Sequence, residues 1–254
     1  MSAAAGAPWR RGSLQDVAEA DADADGPASL AEIAQGAGRR HRRTTWADKL
    51  IFPALVLVFA AAAFHAAKLI RADFAAMEAR ALVRSWADGS TRWTVRQWQL
   101  AHDDTLSALR ITPDNPALHD QMAVIFLIRA RDAWPSKAMQ QLLYTEAARW
   151  QRSSLALRPG HGWTWAALAE SLNALCPGSE EAWHAWRQAQ RFTPHEMTVE
   201  PNLYRIGFAQ WKTAPSDVKA WMRATYEQAA LAQRRRIDDI AAQFEVGEWQ
   251  PAGG

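Results

Sequence analysis

The chain has 254 residues, 49% of them hydrophobic and 22% charged, enough for one or two domains around a sizeable core. A formal net charge of only +2 argues against a dominant role on nucleic acid or another polyanion. The single cysteine, Cys176, rules out an internal disulfide framework and any multi-cysteine metal site, and reads as a small apolar residue at a helix end.

Residues 1–43 are Ala-, Gly- and Asp-rich, with an alternating Ala-Asp run over 20–25 and no apolar period to bury, and are expected to be a disordered tail. Within it, Ser29-Leu30-Ala31-Glu32-Ile33 has the shape of a capping box. The tail closes on the basic cluster Arg39, Arg40, Arg42 and Arg43.

The most hydrophobic stretch follows. Leu50 to Ala67 is interrupted only by Pro53 and His65. Lys68 can snorkel, so Leu69 and Ile70 extend the stretch to the roughly 20 residues a bilayer requires. A transmembrane helix is expected over 48–70, because the segment lacks the polar face of a soluble surface helix. A core helix of a soluble protein is the alternative. A cleaved signal peptide fits poorly with a start near residue 50. The denser arginine cluster precedes the span, so the positive-inside rule places the N-terminus in the cytoplasm and the remainder outside, which in a bacterium is the periplasm.

No later segment alternates apolar and polar residues for long, and β-branched residues are sparse, so the region 71–246 is expected to be all-α. Helices are predicted over 71–87, 91–111, 116–132 and from the break at Pro135-Ser136 to Leu157, with Asp114 or Asn115 capping the third. Two more lie between Leu155 and Pro194, on either side of Cys176-Pro177-Gly178-Ser179. A long final helix is predicted from Val218 to about Phe244, with Arg234-Arg235-Arg236 as a solvated face. Residues 247–254 are expected to be a flexible end.

Pro113, Pro159 and Pro194 expose a period. Five residues before them stand Ala108, Ser154 and Ala189, and twelve before stand Ala101, Ala147 and Ala182. Small residues at this spacing let paired helices lie close, and each proline ends a pair. On the other helix, Leu168-Ala169 with Leu172 matches Met122-Ala123 with Phe126, and Trp165 fills the bulky position ahead. This pattern resembles the tetratricopeptide repeat, a helical pair of about 34 residues. It implies about three pairs, with Ala101, Ala108, Ala147, Ala169, Ala182, Ala189 and Trp165 as packing positions.

Further phrases carry a narrower likeness: Ala156-Leu157-Arg158-Pro159, Gly162-Trp163-Thr164-Trp165-Ala166-Ala167-Leu168-Ala169, Gln188 to Pro194, Leu203 to Trp211, and Ala229 to Ala241. Over residues 70–245 the chain resembles VpsP-like proteins, bacterial membrane-anchored proteins with divergent repeats associated with exopolysaccharide systems. The resemblance implies an assembly factor, with no catalyst and no cofactor, whose partners are the membrane and proteins of a polysaccharide assembly.

No phosphate loop, dinucleotide glycine pattern, paired-histidine zinc motif or nucleophile elbow is present. His102-Asp103-Asp104 can belong to a metal or acid/base set, but fits a surface helix equally. Glu180-Glu181 suit the first turn of a helix, and His195-Glu196 fall in a turn. The 14 tryptophans stand out against three tyrosines. Trp163, Trp183 and Trp186 are the candidate partner-binding residues, with glycan stacking a possible role and core packing the alternative. The leading expectation is therefore a single-pass scaffold of the bacterial inner membrane. The alternatives are an accessory or catalytic domain of an envelope polysaccharide enzyme, or a scaffold for another envelope assembly such as secretion.

Overall fold

The computed structural model describes residues 46–133, 135–194, 196, 198–246 and 249, except the side chains of residues 47 and 48. The expected tail, its arginine cluster, His195 and most of 247–254 lie outside these residues. The chain divides into two units, residues 1–55 and 56–254. The first contributes only the start of a helix to the described residues.

Among the described residues there are ten helices and no strand. They are α1 (Trp46–Ala75), α2 (Met77–Ala87), α3 (Val95–Ile111), α4 (Pro116–Asp132), α5 (Lys137–Leu157), α6 (Gly162–Leu175), α7 (Glu180–Phe192), α8 (Glu200–Ala209), α9 (Ser216–Gln228) and α10 (Leu231–Gln243). The all-α expectation holds, with one long apolar helix ahead of a helical bundle.

Within α1, Lys49–Ala75 is 27 residues long with mean hydropathy 2.2, long and apolar enough to cross a membrane, and none of its most apolar window is buried in the protein. A soluble core helix would be covered, so this exposure disfavours the core-helix alternative. Pro53 stays inside the helix, where its missing N–H leaves the Lys49 carbonyl without a helical donor. The first buried side chain of α1 is Ala72, followed by Ala76 and Ala79 across the junction with α2. Helical bonding continues through that junction, from the Ala76 N–H to Ala72 and from the Arg80 N–H to Ala76.

Local sequence explains the remaining boundaries. Thr94 and Gln97 form a reciprocal capping box, so α3 begins at Val95 and not at Thr91 as predicted. Asn115 caps α4 with Pro116 in its first turn, Ser136 caps α5 and Ser179 caps α7. The residues before Pro113, Pro159 and Pro194 end α3, α5 and α7 in the same way. Thr112, Arg158 and Thr193 have φ of −131°, −143° and −136°, and each N–H donates to the small residue four back, Ala108, Ser154 or Ala189. The proline ring excludes the helical conformation from the residue preceding it, which explains the common geometry.

All six small residues aligned on these prolines are fully buried, as is Ala169. Consecutive helices from α2 to α7 pack on one another, while α2 also meets α4, α6 meets α8, and α8 meets α10. One hydrophobic core joins the end of α1 to α2, α3 and α4; another joins α5 to α10.

Gly162 marks the tightest approach between α6 and the end of α7. A Cβ there would stand 2.4 Å from Thr193 Cγ2 and 3.1 Å from its Cβ. Thr193 is held by its hydroxyl, which donates to the Ala189 carbonyl at 2.6 Å. Gly162→Ala is therefore expected to cost about 1–3 kcal/mol of stability, read by chemical denaturation, with partial recovery on adding Thr193→Ala.

The C-terminal region departs from expectation. The single helix predicted from Val218 to Phe244 is two helices, split at Ala229 and Ala230, whose ψ values of 144° and 156° are extended. Alanine propensity favours continuation, but tertiary packing overrides it. The turn brings Ile237, Ile240 and Ala241 into the core beside Tyr204 and Met222. Arg234, predicted as part of a solvated face, donates through Nε to the Ala229 carbonyl at 2.9 Å and through Nη2 to the Glu227 carbonyl, covering the end of α9. Of residues 247–254, expected to be flexible, Trp249 is buried against Phe208 and Tyr226, with ring centroids 4.9 and 4.6 Å apart.

Candidate functional site

Three tryptophans were candidates for partner contact, and the structure separates them. Trp183 and Trp186 are each 2% exposed and belong to the core of α5–α10. The Trp186 indole N–H donates to the Leu203 carbonyl at 3.0 Å, and its ring meets Trp221 edge-on at 5.1 Å. Their places as partner-binding residues are corrected: three residues apart on α7, they occupy the face turned inward, and neither presents a surface. Trp163 is 47% exposed, with its indole N–H 3.3 Å from Thr198 Oγ1. Trp165 is half-buried; it donates to the Pro159 carbonyl at 2.7 Å and meets His184 of α7 edge-on.

Trp163 stands at the edge of a groove of about 290 Å³. Every second helix contributes to it. Trp86 comes from α2; Val124, Leu127, Ile128 and Arg131 from α4; Ala166, Ala167 and Glu170 from α6; Asn202 and Arg205 from α8. Arg131 and Glu170 form a two-bond ion pair, Nε to Oε1 at 2.8 Å and Nη2 to Oε2 at 2.7 Å. Asn202 Nδ2 donates to Glu170 Oε2 and to the Ala166 carbonyl, both at 3.3 Å. Arg205 is exposed and makes no ion pair among the described residues. The buried Trp86 indole N–H has no acceptor among them either, which is uncommon for a buried donor. The groove combines apolar walls, one aromatic edge and a polar floor. Sequence reasoning found Trp163 but missed Arg131, Glu170, Asn202 and Arg205, because they lie on three different helices and share no local motif.

A second polar cluster joins α4, α5 and α6. Arg158 Nη2 is 2.5 Å from Asp120 Oδ2, Thr164 Oγ1 donates to Asp120 Oδ1 at 2.7 Å, and His161 Nδ1 is 2.6 Å from Thr164 Oγ1. Burial, and then the Arg158 charge, hold the His161 pKa below its ordinary value, with Asp120 opposing them. The unfolded chain therefore binds more protons at this residue below the ordinary histidine value of about 6.5. Stability is expected to fall as pH drops from about 6.5 through the depressed folded value, then to level off. His161→Gln should flatten that part of the profile in thermal melts taken between about pH 7 and 5.

The other sequence candidates do not converge. His102 stacks on Trp98 and reaches the exposed Asp103 at 2.9 Å, with Asp104 raised in pKa by burial and by Glu78 and Asp103. Glu180 and Glu181 lie in the first turn of α7, and Glu181 pairs with Arg152 at 2.5 Å. Glu196 accepts from the Thr198 hydroxyl at 2.9 Å. Cys176 caps the end of α6, the helix-end position read from the sequence, and is exposed. Among the described residues, no three His, Cys, Asp or Glu side chains are grouped to hold a metal ion.

Fold and groove together define an all-α protein with one helix able to cross a membrane and a helical domain whose alternate helices form a recess. No protein-family model matches the chain, and a search of curated proteins finds no match.

Proposed function

We propose that this chain is a single-pass, membrane-anchored, non-catalytic scaffold with a tetratricopeptide-like domain, which receives a segment of a partner protein in the groove. The observation that carries the reading is the shared lining by α2, α4, α6 and α8: one helix from each successive pair faces the same recess. Stacked helical pairs expose a continuous inner surface of this kind. The recurring ends of α3, α5 and α7 support the repeat reading. A partner carboxylate would meet the exposed Arg205.

By the resemblance described above, the assembly served is exopolysaccharide biosynthesis or export at a bacterial inner membrane. The tail would be cytoplasmic and the helical domain periplasmic. A photo-crosslinking residue at Trp163, used in native membranes, tests this directly. Recovery of a membrane protein of a polysaccharide assembly is expected; recovery of cytosolic proteins alone would sink both the topology and the function. Arg131→Ala should weaken that crosslink several-fold and cost about 1–2 kcal/mol of stability, because Glu170 keeps its charge in a recess without its partner. Adding Glu170→Gln should restore most of the stability.

A glycan in the groove is the second reading. Trp163 lines the groove together with Asn202, Glu170 and Arg131, and an exposed aromatic side chain beside polar groups suits a sugar and its hydroxyls. Binding of polysaccharide fragments lost on Trp163→Ala, with no protein crosslink, would favour it.

A further inference from the structure

Beyond Ala67, α1 carries apolar side chains along the flank of the helical domain. Leu69, Ile70 and Phe74 are exposed by 45, 54 and 70%. With Leu118, Asn115 and Arg80 they line an open pocket of about 610 Å³.

Depth identifies what fills it. Leu50 to Ile70 is 21 residues, about 31 Å of helix, which matches the hydrocarbon core of a bilayer. Phe74 lies about 6 Å further along, inside a headgroup layer that adds about 5–7 Å on each side. The pocket thus straddles the boundary between acyl chains and headgroups. Its apolar wall is Leu69, Ile70, Phe74 and Leu118. Its polar wall holds Asp73, Arg80, Asn115 and Gln121. Arg80 uses Nη2 on the Asp73 carbonyl and carboxylate, both at 2.6 Å, and Nε on the Ala76 carbonyl at 3.4 Å. Arg80 Nη1 has no partner among the described residues, and neither has Asn115 Nδ2, since Asn115 uses Oδ1 to cap α4. Exposed Leu, Ile and Phe beside the unpartnered N–H groups of Arg80, which is ion-paired with Asp73, and of Asn115 match an amphiphile whose head accepts hydrogen bonds.

We infer that this pocket binds a phospholipid of the leaflet next to the helical domain. Its glycerol and first methylenes lie on Leu69, Ile70, Phe74 and Leu118, and its phosphate on Arg80 Nη1 and Asn115 Nδ2. The inference rests on α1 spanning the membrane, and it seats the start of α4 on the bilayer surface.

The full chain, with Cys176→Ser, is spin-labelled in phosphatidylglycerol–phosphatidylethanolamine nanodiscs at Ala117→Cys, Ala62→Cys or Lys212→Cys. Accessibility to oxygen and to a water-soluble nickel chelate is then read at each site. The Ala62 label is expected to be open to oxygen and closed to the chelate, and the Lys212 label the reverse. At Ala117 the oxygen-to-chelate ratio should be several-fold above that at Lys212. If Ala62 behaves as expected and Ala117 matches Lys212, the lipid site is wrong and the anchor stands. If Ala62 is open to the chelate, the anchor fails and the lipid site with it. A label at Ala117 closed to both reagents means protein fills the pocket, which also overturns the inference. Leu69→Ser with Phe74→Ser should bring Ala117 to the Lys212 value with Ala62 unchanged; an unaltered ratio at Ala117 would reject the proposed apolar wall.

Discussion

Val58→Arg combined with Ala62→Arg is expected to release the protein from membranes into the aqueous phase. The two positions are one turn apart on α1, and Val58 is 62% exposed. An arginine near the centre of a span costs about 2.5–3.5 kcal/mol on the insertion scale, so the pair costs about 5–7 kcal/mol. Neither residue touches the helical core, which begins at Ala72. The released variant should therefore keep its helicity and its thermal midpoint. Alkaline extraction and detergent-phase partitioning check the first half, circular dichroism the second. A wild-type chain that partitions into water without detergent would remove the anchor from this reading altogether.

Trp186→Ala is expected to lower stability by about 3–5 kcal/mol, a large share of the 5–15 kcal/mol available to an ordinary domain. The side chain is 2% exposed, and its removal opens a void among Trp221, Leu203 and Tyr204. Trp186→Phe should keep an edge-on ring contact while losing the bond to Leu203, at about 1 kcal/mol plus a small packing loss. Trp163→Ala should change stability by less than about 1 kcal/mol, because half of that side chain already faces solvent. Denaturant titrations of these variants separate the core tryptophans from the one on the groove. If Trp163→Ala proves as damaging as Trp186→Ala, Trp163 is a core residue and the groove loses its aromatic edge.

That separation marks where sequence reasoning stops. Prolines, the Asn115 cap and the small residues at fixed offsets were readable because each acts through local backbone chemistry, and the helix ends before the three prolines fall where expected, whereas the Thr94 capping box that starts α3 was missed. The apolar run of α1 was readable by length alone. Spacing pairs Trp183 with Trp186 on one helical face, but it does not say whether that face turns in or out. The break at Ala229-Ala230 was invisible because nothing local opposes a helix there. It depends on Arg234 reaching back to α9 and on α10 packing against α8. Trp249 was missed for a related reason: a single aromatic in a Gly- and Pro-flanked end has no periodicity to betray its burial. The groove is a product of tertiary structure, built from single residues on four helices.

Ala72, Ala76 and Ala79 have a mechanical consequence. A domain on a flexible tether samples a volume set by its linker, and its encounters with partners follow from that volume. Here the last turns of the apolar helix are themselves part of the core, so no slack separates the anchor from the domain. If α1 spans the bilayer as proposed, reach would be exchanged for a short standing height above it, favouring partners that present their segment close to the surface.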